Sequence, residues 1–325
     1  MPISTNIKYA GSDLAFLVPT KDRPGKMTNL FDSLTCQTIQ CSRIIIINGG
    51  ESIEELVLSY KDRLPVEYYE CRPPGQIRQR NMGIALLDSK TPLVGTLDDD
   101  IVLMPDAVEK MITFWNTLPD ATAAVSFNII NCEPVKHSWI KGIMGLSGPL
   151  PGKVLKSGIN TPILSIRDNV SSQWVCGGAT IWLQEILKKY TNAPQDAMWA
   201  SSEDLNFSYP IGKLYPMYVC ADAKVNHEHV YDLRIKRKHR YYGRTETLWR
   251  FFFVESHQEL SRMAFLCSQF TSIIARFIKG IISLQLRHFQ FGLGQIEGVY
   301  VGMKAIVQKQ NLKEMLNETN TTDKK

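Results

Sequence analysis

Leu93-Val94-Gly95-Thr96-Leu97-Asp98-Asp99-Asp100 is the stretch that decides the fold class of this chain. A short, almost wholly apolar run reads as a strand, and three carboxylates follow at its carboxyl end. Working outward, Leu14 to Val18 is a similar run, closed by Pro19 and Thr20. Pro24 suits the first turn of a helix reaching about Cys36. Arg43 to Ile47 is a continuous β-branched run of the kind buried on both faces of a sheet. It ends in Asn48-Gly49-Gly50, after which Ser52 and Glu55 have the spacing of a capping box. Val66 to Tyr69 reads as a further strand, and Gln76 to Leu87 as a helix behind the turn Pro73-Pro74-Gly75. Pro105 opens a helix with Val108, Met111, Ile112 and Trp115 on one face. Strands alternating with helices predict an α/β fold with a mostly parallel sheet and right-handed crossovers. Ligands of such sheets bind beyond the carboxyl ends of the strands. Pro19-Thr20, Asn48-Gly49 and the three aspartates all lie there.

The aspartates carry the strongest chemical signal. Adjacent carboxylates repel and are costly unless a cation or hydrogen-bond donors compensate. Asp98 and Asp100, two apart at a strand end, point the same way. Hard oxygen ligands suit Mg²⁺ or Mn²⁺, which in turn holds phosphate oxygens. The competing reading is a solvated acidic turn ahead of the next helix. Glu203-Asp204, behind Ser202, is a second acidic pair. One of its carboxylates could serve as a general base toward a hydroxyl, or both could be plain first-turn acids of a helix. His227 and His229 follow the strand-like run Tyr218 to Val225, and either could complete a metal shell. Alternation turns both to one side, so the sequence does not choose between them. Arg78, Arg80 and Asn81 sit on one helix near the strand ends, placed for a pyrophosphate or for a carboxylate of the cluster. Gly177-Gly178, after Trp174, allows a close backbone approach to a substrate, or makes an ordinary turn.

Composition sets the outer bounds. The chain has 325 residues, 44% hydrophobic and 21% charged, which excludes disorder, collagen-like repeats and coiled coil for its bulk. Seven cysteines form no CxxC pair and no zinc spacing. The polar stretch Met1 to Ser12 has no apolar signal core. Both facts point to a reducing, cytoplasmic compartment. The net charge of +5 is uneven: Tyr231 to Gln290 holds eleven Lys/Arg against four Asp/Glu, +7, leaving −2 elsewhere. An anionic partner is therefore expected at one end. Nucleic acid is not expected, since no binding module accompanies the charge.

The order of motifs resembles family 2 glycosyltransferases of the GT-A fold. The resemblance rests on Val18-Pro19-Thr20-Lys21-Asp22-Arg23-Pro24, Arg80-Asn81-Met82-Gly83-Ile84, Leu97-Asp98-Asp99-Asp100, Gly177-Gly178, Glu203-Asp204 and His227. It covers about residues 12 to 245, and it is the order and spacing of the motifs that is specific. It implies a Rossmann-like GT-A catalytic domain over 1–230. Pro19, Thr20, Asp22 and Asn48 would line the nucleoside pocket, with Arg80, Asp98 and Asp99 beside the sugar nucleotide. Asp100 would bind a divalent cation, Mn²⁺ or Mg²⁺, with His227 as a further ligand. Asp204 would be the base of an inverting displacement, Glu203 its neighbour or substitute, and Trp174, Gly177 and Gly178 would meet the acceptor. Two departures stand out. The second strand of the family usually ends in an aspartate, here Asn48, and Phe207-Ser208-Tyr209-Pro210 follows Glu203-Asp204 where an arginine is usual. A Gln-x-x-Arg-Trp motif is absent, which favours transfer of a single sugar over processive polymerisation.

Residues 231–316 are expected to form a basic amphipathic helical region, and 317–325 a disordered polar tail. No uncharged apolar run reaches about 18 residues, so a spanning helix is not expected. On a helix, Ile273, Ile274, Phe277, Ile281 and Leu284 make one face and Arg276, Lys279, Ser283 and Arg287 the other. That pattern fits an interfacial helix on an anionic membrane surface, or a helix packed on the catalytic domain or closing a homo-oligomer. The expected activity is transfer of one sugar from a nucleoside-diphosphate sugar to a glycan or lipid-linked acceptor in cell-surface polysaccharide synthesis, in the cytoplasm or on the inner face of the membrane. The rivals are a catalytically silent homologue acting as a membrane-bound assembly subunit, and a metal-dependent nucleotidyltransferase.

Overall fold

An unbroken apolar run along a strand must be covered on both faces, and the first strands show how this chain does it. In the computed structural model, which describes residues 8–133, 137–190, 202–228 and 238–310, β1 (Leu14–Thr20) is buried throughout. Leu14, Phe16 and Val18 enter one core with Met27, Leu30 and Phe31 of α1 (Pro24–Thr35). Ala15 and Leu17 enter the opposite core, where Ile84 of α3 (Gln76–Ala85) joins them. The strand β2 (Arg43–Asn48) divides Ile44 and Ile46 from Ile45 and Ile47 in the same way. Each such side chain contributes roughly 1.5–3 kcal/mol when fully buried.

Along the chain follow α2 (Glu54–Leu58), β3 (Val66–Glu70), α3, β4 (Leu93–Leu97), β5 (Ile101–Leu103), α4 (Ala107–Trp115) and β6 (Ala124–Ile129). Then come α5 (Trp139–Ile143), β7 (Val170–Ser171), β8 (Ala179–Leu183), α6 (Gln184–Lys189), α7 (Glu203–Gly212) and β9 (Met217–His227). The last three helices are α8 (Lys238–Glu255), α9 (Arg262–Ser283) and α10 (Leu286–Val307). One sheet runs β3-β2-β1-β4-β8-β6-β9-β5, with β7 on β9. The pairs from β3 to β4 are parallel, while β8 is antiparallel to both β4 and β6. The expected strands and helices of residues 14–115 are all present.

Two local expectations shift. Ser52 does not cap α2; the helix starts one residue later behind Ile53, and Ser52 Oγ accepts from the Glu54 N–H at 3.3 Å. The Tyr68 hydroxyl, reaching in from β3, accepts from the Ile53 N–H at 3.4 Å and so takes over part of the cap. The helix behind Pro105 begins at Ala107.

Contacts divide the chain into two compact units. The described parts of the first are 8–133, 163–190 and 207–228; those of the second are 137–162, 202–206 and 238–310. The second unit is built on α8 and α10, which approach at glycines. Gly294, Gly298 and Gly302 recur every four residues on α10, so one turn brings each to the same face. A Cβ at Gly298 would sit 2.8 Å from the Arg244 carbonyl oxygen, and one at Gly302 2.7 Å from the Phe251 ring. A Cβ at Gly294 would overlap the Arg240 carbonyl. Between α8, α9 and α10 lies a buried polar layer in which the Gln295 amide donates to Gln269 (3.3 Å) and Ser272 (3.1 Å).

The expected faces of α9 are redistributed. Its buried residues are Phe265, Ser268, Gln269 and Gly280. Ile274 and Ile281 are exposed, whereas Ile273 and Phe277 are half-buried. Arg276 is not on an open basic face: its guanidinium lies 4.1 Å over the Phe291 ring. By length and composition α9 could also cross a membrane, which a search for uncharged runs misses because Arg276 and Lys279 interrupt it. Of the basic residues of 231–290, Arg234, Lys236 and Arg237 lie outside the described residues, as do His229 and the tail 317–325.

Two predictions follow from this packing. Gly294→Val should destabilise the chain by about 1–3 kcal/mol, as overpacking does. Gly25→Ala, where nothing lies within 4 Å of the new Cβ, should be neutral or stabilising by up to about 1 kcal/mol; urea melts of both variants decide. The second concerns His288, which is 6% exposed, with Nε2 lacking a hydrogen-bond partner. Burial, then the charges of Lys279, Arg287, Arg276 and His239, hold its pKa below the usual histidine value. Its neutral form is the native one. The stability it confers is present above the unfolded pKa of about 6.5 and is lost as pH falls below it. The melting temperature should drop on acidification from pH 7 toward 5, and less steeply in His288→Phe.

Candidate active site

Parallel pairing of β1 with both β2 and β4 sets their carboxyl ends side by side, and the polar residues that follow the strands meet there. Thr20, Asn48 and Asp98 are the residues so placed. Gln79, buried on α3, ties the first two ends together: its amide donates to the carbonyls of Thr20 (2.9 Å) and Ile47 (2.7 Å).

Each aspartate has its own partners. Asp98 Oδ1 accepts from Arg80 Nη2 at 2.9 Å and from the Gln76 amide at 3.2 Å. Asp99, buried, accepts from the Thr20 hydroxyl at 2.8 Å and pairs with Arg23 Nη1 at 3.0 Å. Asp100, also buried, meets His227 Nε2 at 3.0 Å and Arg23 Nη1 at 3.4 Å. The antiparallel pairing of β5 with β9 sets Ile101 opposite His227, and the Glu228 N–H donates to the Asp100 carbonyl at 2.8 Å. That register is what carries His227 to Asp100. The intervening Glu228 turns the other way, to Lys26 (2.8 Å) and Asn29 (3.0 Å) on α1.

The electrostatics follow the contacts. Desolvation raises the Asp99 pKa, and the Thr20 hydrogen bond and Arg23 only partly oppose it. Burial pulls the His227 pKa down, but its hydrogen bond to Asp100 and the charges of Asp100 and Asp98 outweigh that, leaving it above the usual value. Arg23 behaves alike: burial lowers its pKa, and Asp99 more than restores it. The ligand atoms of Asp98, Asp100 and His227 lie within 4.8 Å of one another. Two carboxylates and an imidazole converging in this way suit a divalent cation such as Mn²⁺ or Mg²⁺.

On the nucleoside side, Asn48 is fully buried and its amide donates to the Glu51 carbonyl (2.7 Å), the Tyr68 hydroxyl (2.9 Å) and the Gly50 carbonyl (3.3 Å). Asp22, at φ 56°, accepts from the Glu51 N–H at 2.8 Å. Arg72 braces the same loop by donating to the carbonyls of Asn48 (3.0 Å) and Gly50 (2.6 Å). Pro19 lies in β1, opposite Ile47. Arg78 donates to the Pro73 carbonyl at 3.2 Å and so holds the turn before α3. Gly178 abuts Asp98: its carbonyl accepts from the Asp98 N–H at 2.9 Å, and a Cβ there would overlap the carboxylate. Trp174 is buried. Glu203 and Asp204 open α7 and belong to the second unit; Asp204 Oδ1 accepts from the Leu205 N–H at 2.8 Å.

Arg23, Gln76, Gln79 and Arg72 had no role in the sequence reading. Arg23 lies inside the Pro19-to-Pro24 motif, and its position before α1 was the available signal. Gln79 and Arg72 act through backbone carbonyls, which leave no trace in a residue pattern.

The profile of glycosyl transferase family 2 matches residues 15–191. No curated protein matches the chain. Among solved structures, the mannosyltransferase PcManGT from Pyrobaculum calidifontis, in complex with GDP-Man and Mn²⁺, is similar at TM-score 0.55 and 12% identity, over 93% of this chain and 89% of that one. S. aureus TarS 1-349 in complex with UDP is similar at TM-score 0.50 and 14% identity, over 91% and 92%. Against the longer S. aureus TarS the chain spans 44% of the length, at TM-score 0.49. At these identities the likeness shows the fold, which is GT-A.

The site geometry sets a test. Mn²⁺ binding, followed by the electron paramagnetic resonance of the free ion, should weaken at least about tenfold in Asp100→Ala and in His227→Ala. Gly178→Ala should weaken it too, by displacing Asp98. Unchanged binding in Asp100→Ala would remove the cluster from consideration.

Proposed function

The chain belongs to glycosyl transferase family 2, and we propose that it is an inverting, metal-dependent glycosyltransferase moving one sugar from a nucleoside diphosphate to a hydroxyl. The single observation that carries this is the convergence of Asp98, Asp100 and His227 at the carboxyl ends of the strands. The GDP-Man and UDP bound by the two similar structures support a nucleotide-sugar donor.

In this reading Asp100 and His227 hold the cation, with Asp98 beside it. When bound, the cation offsets charge that builds on the departing diphosphate. Pro19, Thr20, Asp22 and the loop shaped by Asn48 take the nucleoside. Arg80 and Asp99 keep Asp98 and Asp100 in place for the sugar diphosphate. Asp204, assigned on motif order, accepts the proton of the acceptor hydroxyl as the new bond forms at the anomeric carbon and the bond to the diphosphate breaks. Glu203 flanks it, and Trp174, Gly177 and Gly178 line the acceptor side. Attack opposite the leaving group inverts the configuration. The acceptor is a glycan or lipid-linked saccharide of cell-surface polysaccharide synthesis, met on the cytoplasmic face of a membrane. A complete carboxylate–imidazole set weighs against the silent-homologue reading, for which such a costly cluster has no use.

The test is a binding and turnover panel. UDP, GDP and dTDP are titrated with and without Mn²⁺, and the matching sugar nucleotides are then assayed for transfer. One nucleotide should bind in a metal-dependent way. Asp204→Asn should keep that binding within about twofold while losing about 10²–10⁴ of turnover, as loss of a general base does. A folded chain that binds none of the three overturns the reading.

A further inference from the structure

Toward α8 the second unit has an apolar interior, Phe251, Val254 and Phe265 with Leu266, Val299, Met303 and Ile306, but at the junction of α9 and α10 the apolar residues face outward. The buried faces of α9 and α10 collect Ser268, Gln269, Gly280, Gly294, Gln295 and Gly298. The outward residues around their junction are aliphatic: Ile278 is 51% exposed, Ile281 65%, Ile282 79%, Leu284 90% and Leu286 75%. Water penalises exposed aliphatic surface of this extent, and contiguous patches of it mark an interaction site. Polar and small residues inside with aliphatics outside is the distribution expected where lipid is the neighbour.

A second patch lies in the same unit. The short helix α5 exposes Trp139 (70%) and Ile143 (79%). Gly145, just beyond it, has its side-chain position 3.9 Å from Ser268 of α9. Tryptophan is enriched at headgroup level, but Ser268 lies ten residues before Ile278, so α5 stands apart from the junction.

Charge identifies the partner. Between Glu259 and Glu297 there is no acidic residue, while Arg262, Arg276, Lys279 and Arg287 all fall there. A second copy of this chain docking face to face would add another set of cations to the interface with no acidic residue of 260–296 to offset them. Arg262 is paired with Glu255 and Arg276 lies over Phe291, whereas Lys279 and Arg287 are exposed, and an anionic lipid surface gains from both.

We propose that the junction of α9 and α10 seats the protein on an anionic leaflet, the aliphatic side chains entering the interface and Lys279 and Arg287 meeting lipid phosphates. This deepens the membrane-side part of the functional reading and uses none of the donor-site residues. It is also distinct from a span: α9 stays committed to α8 and α10 through the Gln269–Gln295 layer.

The experiment is co-sedimentation of the full chain with vesicles of phosphatidylcholine alone and of phosphatidylcholine with roughly 30% phosphatidylglycerol, an anionic lipid. The native chain should bind the anionic vesicles at least about tenfold more tightly than the neutral ones. Ile278→Glu with Ile282→Glu should abolish binding to both. Lys279→Glu with Arg287→Glu should lower affinity for the anionic vesicles alone. Circular dichroism and nucleotide binding, unchanged in both pairs, would show that the fold is intact. Equal binding to both vesicles, or none, overturns the proposal. So does a dimer in sedimentation velocity that the isoleucine pair disperses, which would assign the face to a second copy. Sugar transfer to a soluble acceptor without vesicle binding sinks this proposal and leaves the donor site standing; vesicle binding without nucleotide binding does the reverse.

Discussion

Three consecutive carboxylates at the end of a buried strand repel one another, and the first unit is arranged around relieving that repulsion. Two unit charges about 4 Å apart cost roughly 4 kcal/mol at an effective dielectric near 20. Burial of Asp99 and Asp100 adds a desolvation cost. Each carboxylate is answered by a different element. Arg80 and Gln76 come from α3, Thr20 from the end of β1, Arg23 from the residue before α1, and His227 from β9. None of these partners is near Asp98–Asp100 in sequence, so the sheet order brings them there. The same convergence brings ligand atoms of Asp98, Asp100 and His227 within 4.8 Å of one another.

How much of this could be read from sequence depends on the range of the interaction. The parallel half was legible because Ile44 to Ile47 and Leu14 to Val18 are buried on both faces, and unbroken apolar runs report that directly. The aspartates were legible because like charges in a row demand an explanation wherever they occur. Strands β6, β7 and β8 went unread; β7 has two residues, and the sheet position of all three is set by partners far along the chain. The contact of His227 with Asp100 needs the β5–β9 register, and β5 is only three residues long. Alternation alone left His227 and His229 equivalent.

The second unit was only partly legible for a different reason. Periodicity finds an apolar stripe without saying whether protein or lipid covers it. In α9 and α10 the buried stripe is marked instead by glycine, serine and glutamine, and Gly294, Gly298 and Gly302 let α8 come to backbone contact. Close approach increases van der Waals contact along the helices, and the Gln295 amide donates to Gln269 and Ser272 within the layer. Leu266, Val299, Met303 and Ile306 add an apolar interior on Phe251, Val254 and Phe265, which leaves the aliphatic residues of the α9–α10 junction outside.

Asn48 shows a departure from the family pattern acquiring a local physical cause. An aspartate there would present two acceptor oxygens and no donor. The carbonyl oxygens of Gly50 and Glu51 point at its amide, and the Tyr68 hydroxyl accepts from it while reaching toward Ile53. A carboxylate would face those carbonyls with like partial charge, in a site wholly shielded from water. The amide is therefore what this loop requires. Within the donor-side reading, Asn48 contributes by shaping residues 49–51, which Asp22 and Arg72 hold from either side. An uncharged residue at the end of β2 is in this respect part of how the loop is built, since its donors and acceptors are matched by those of several residues at once.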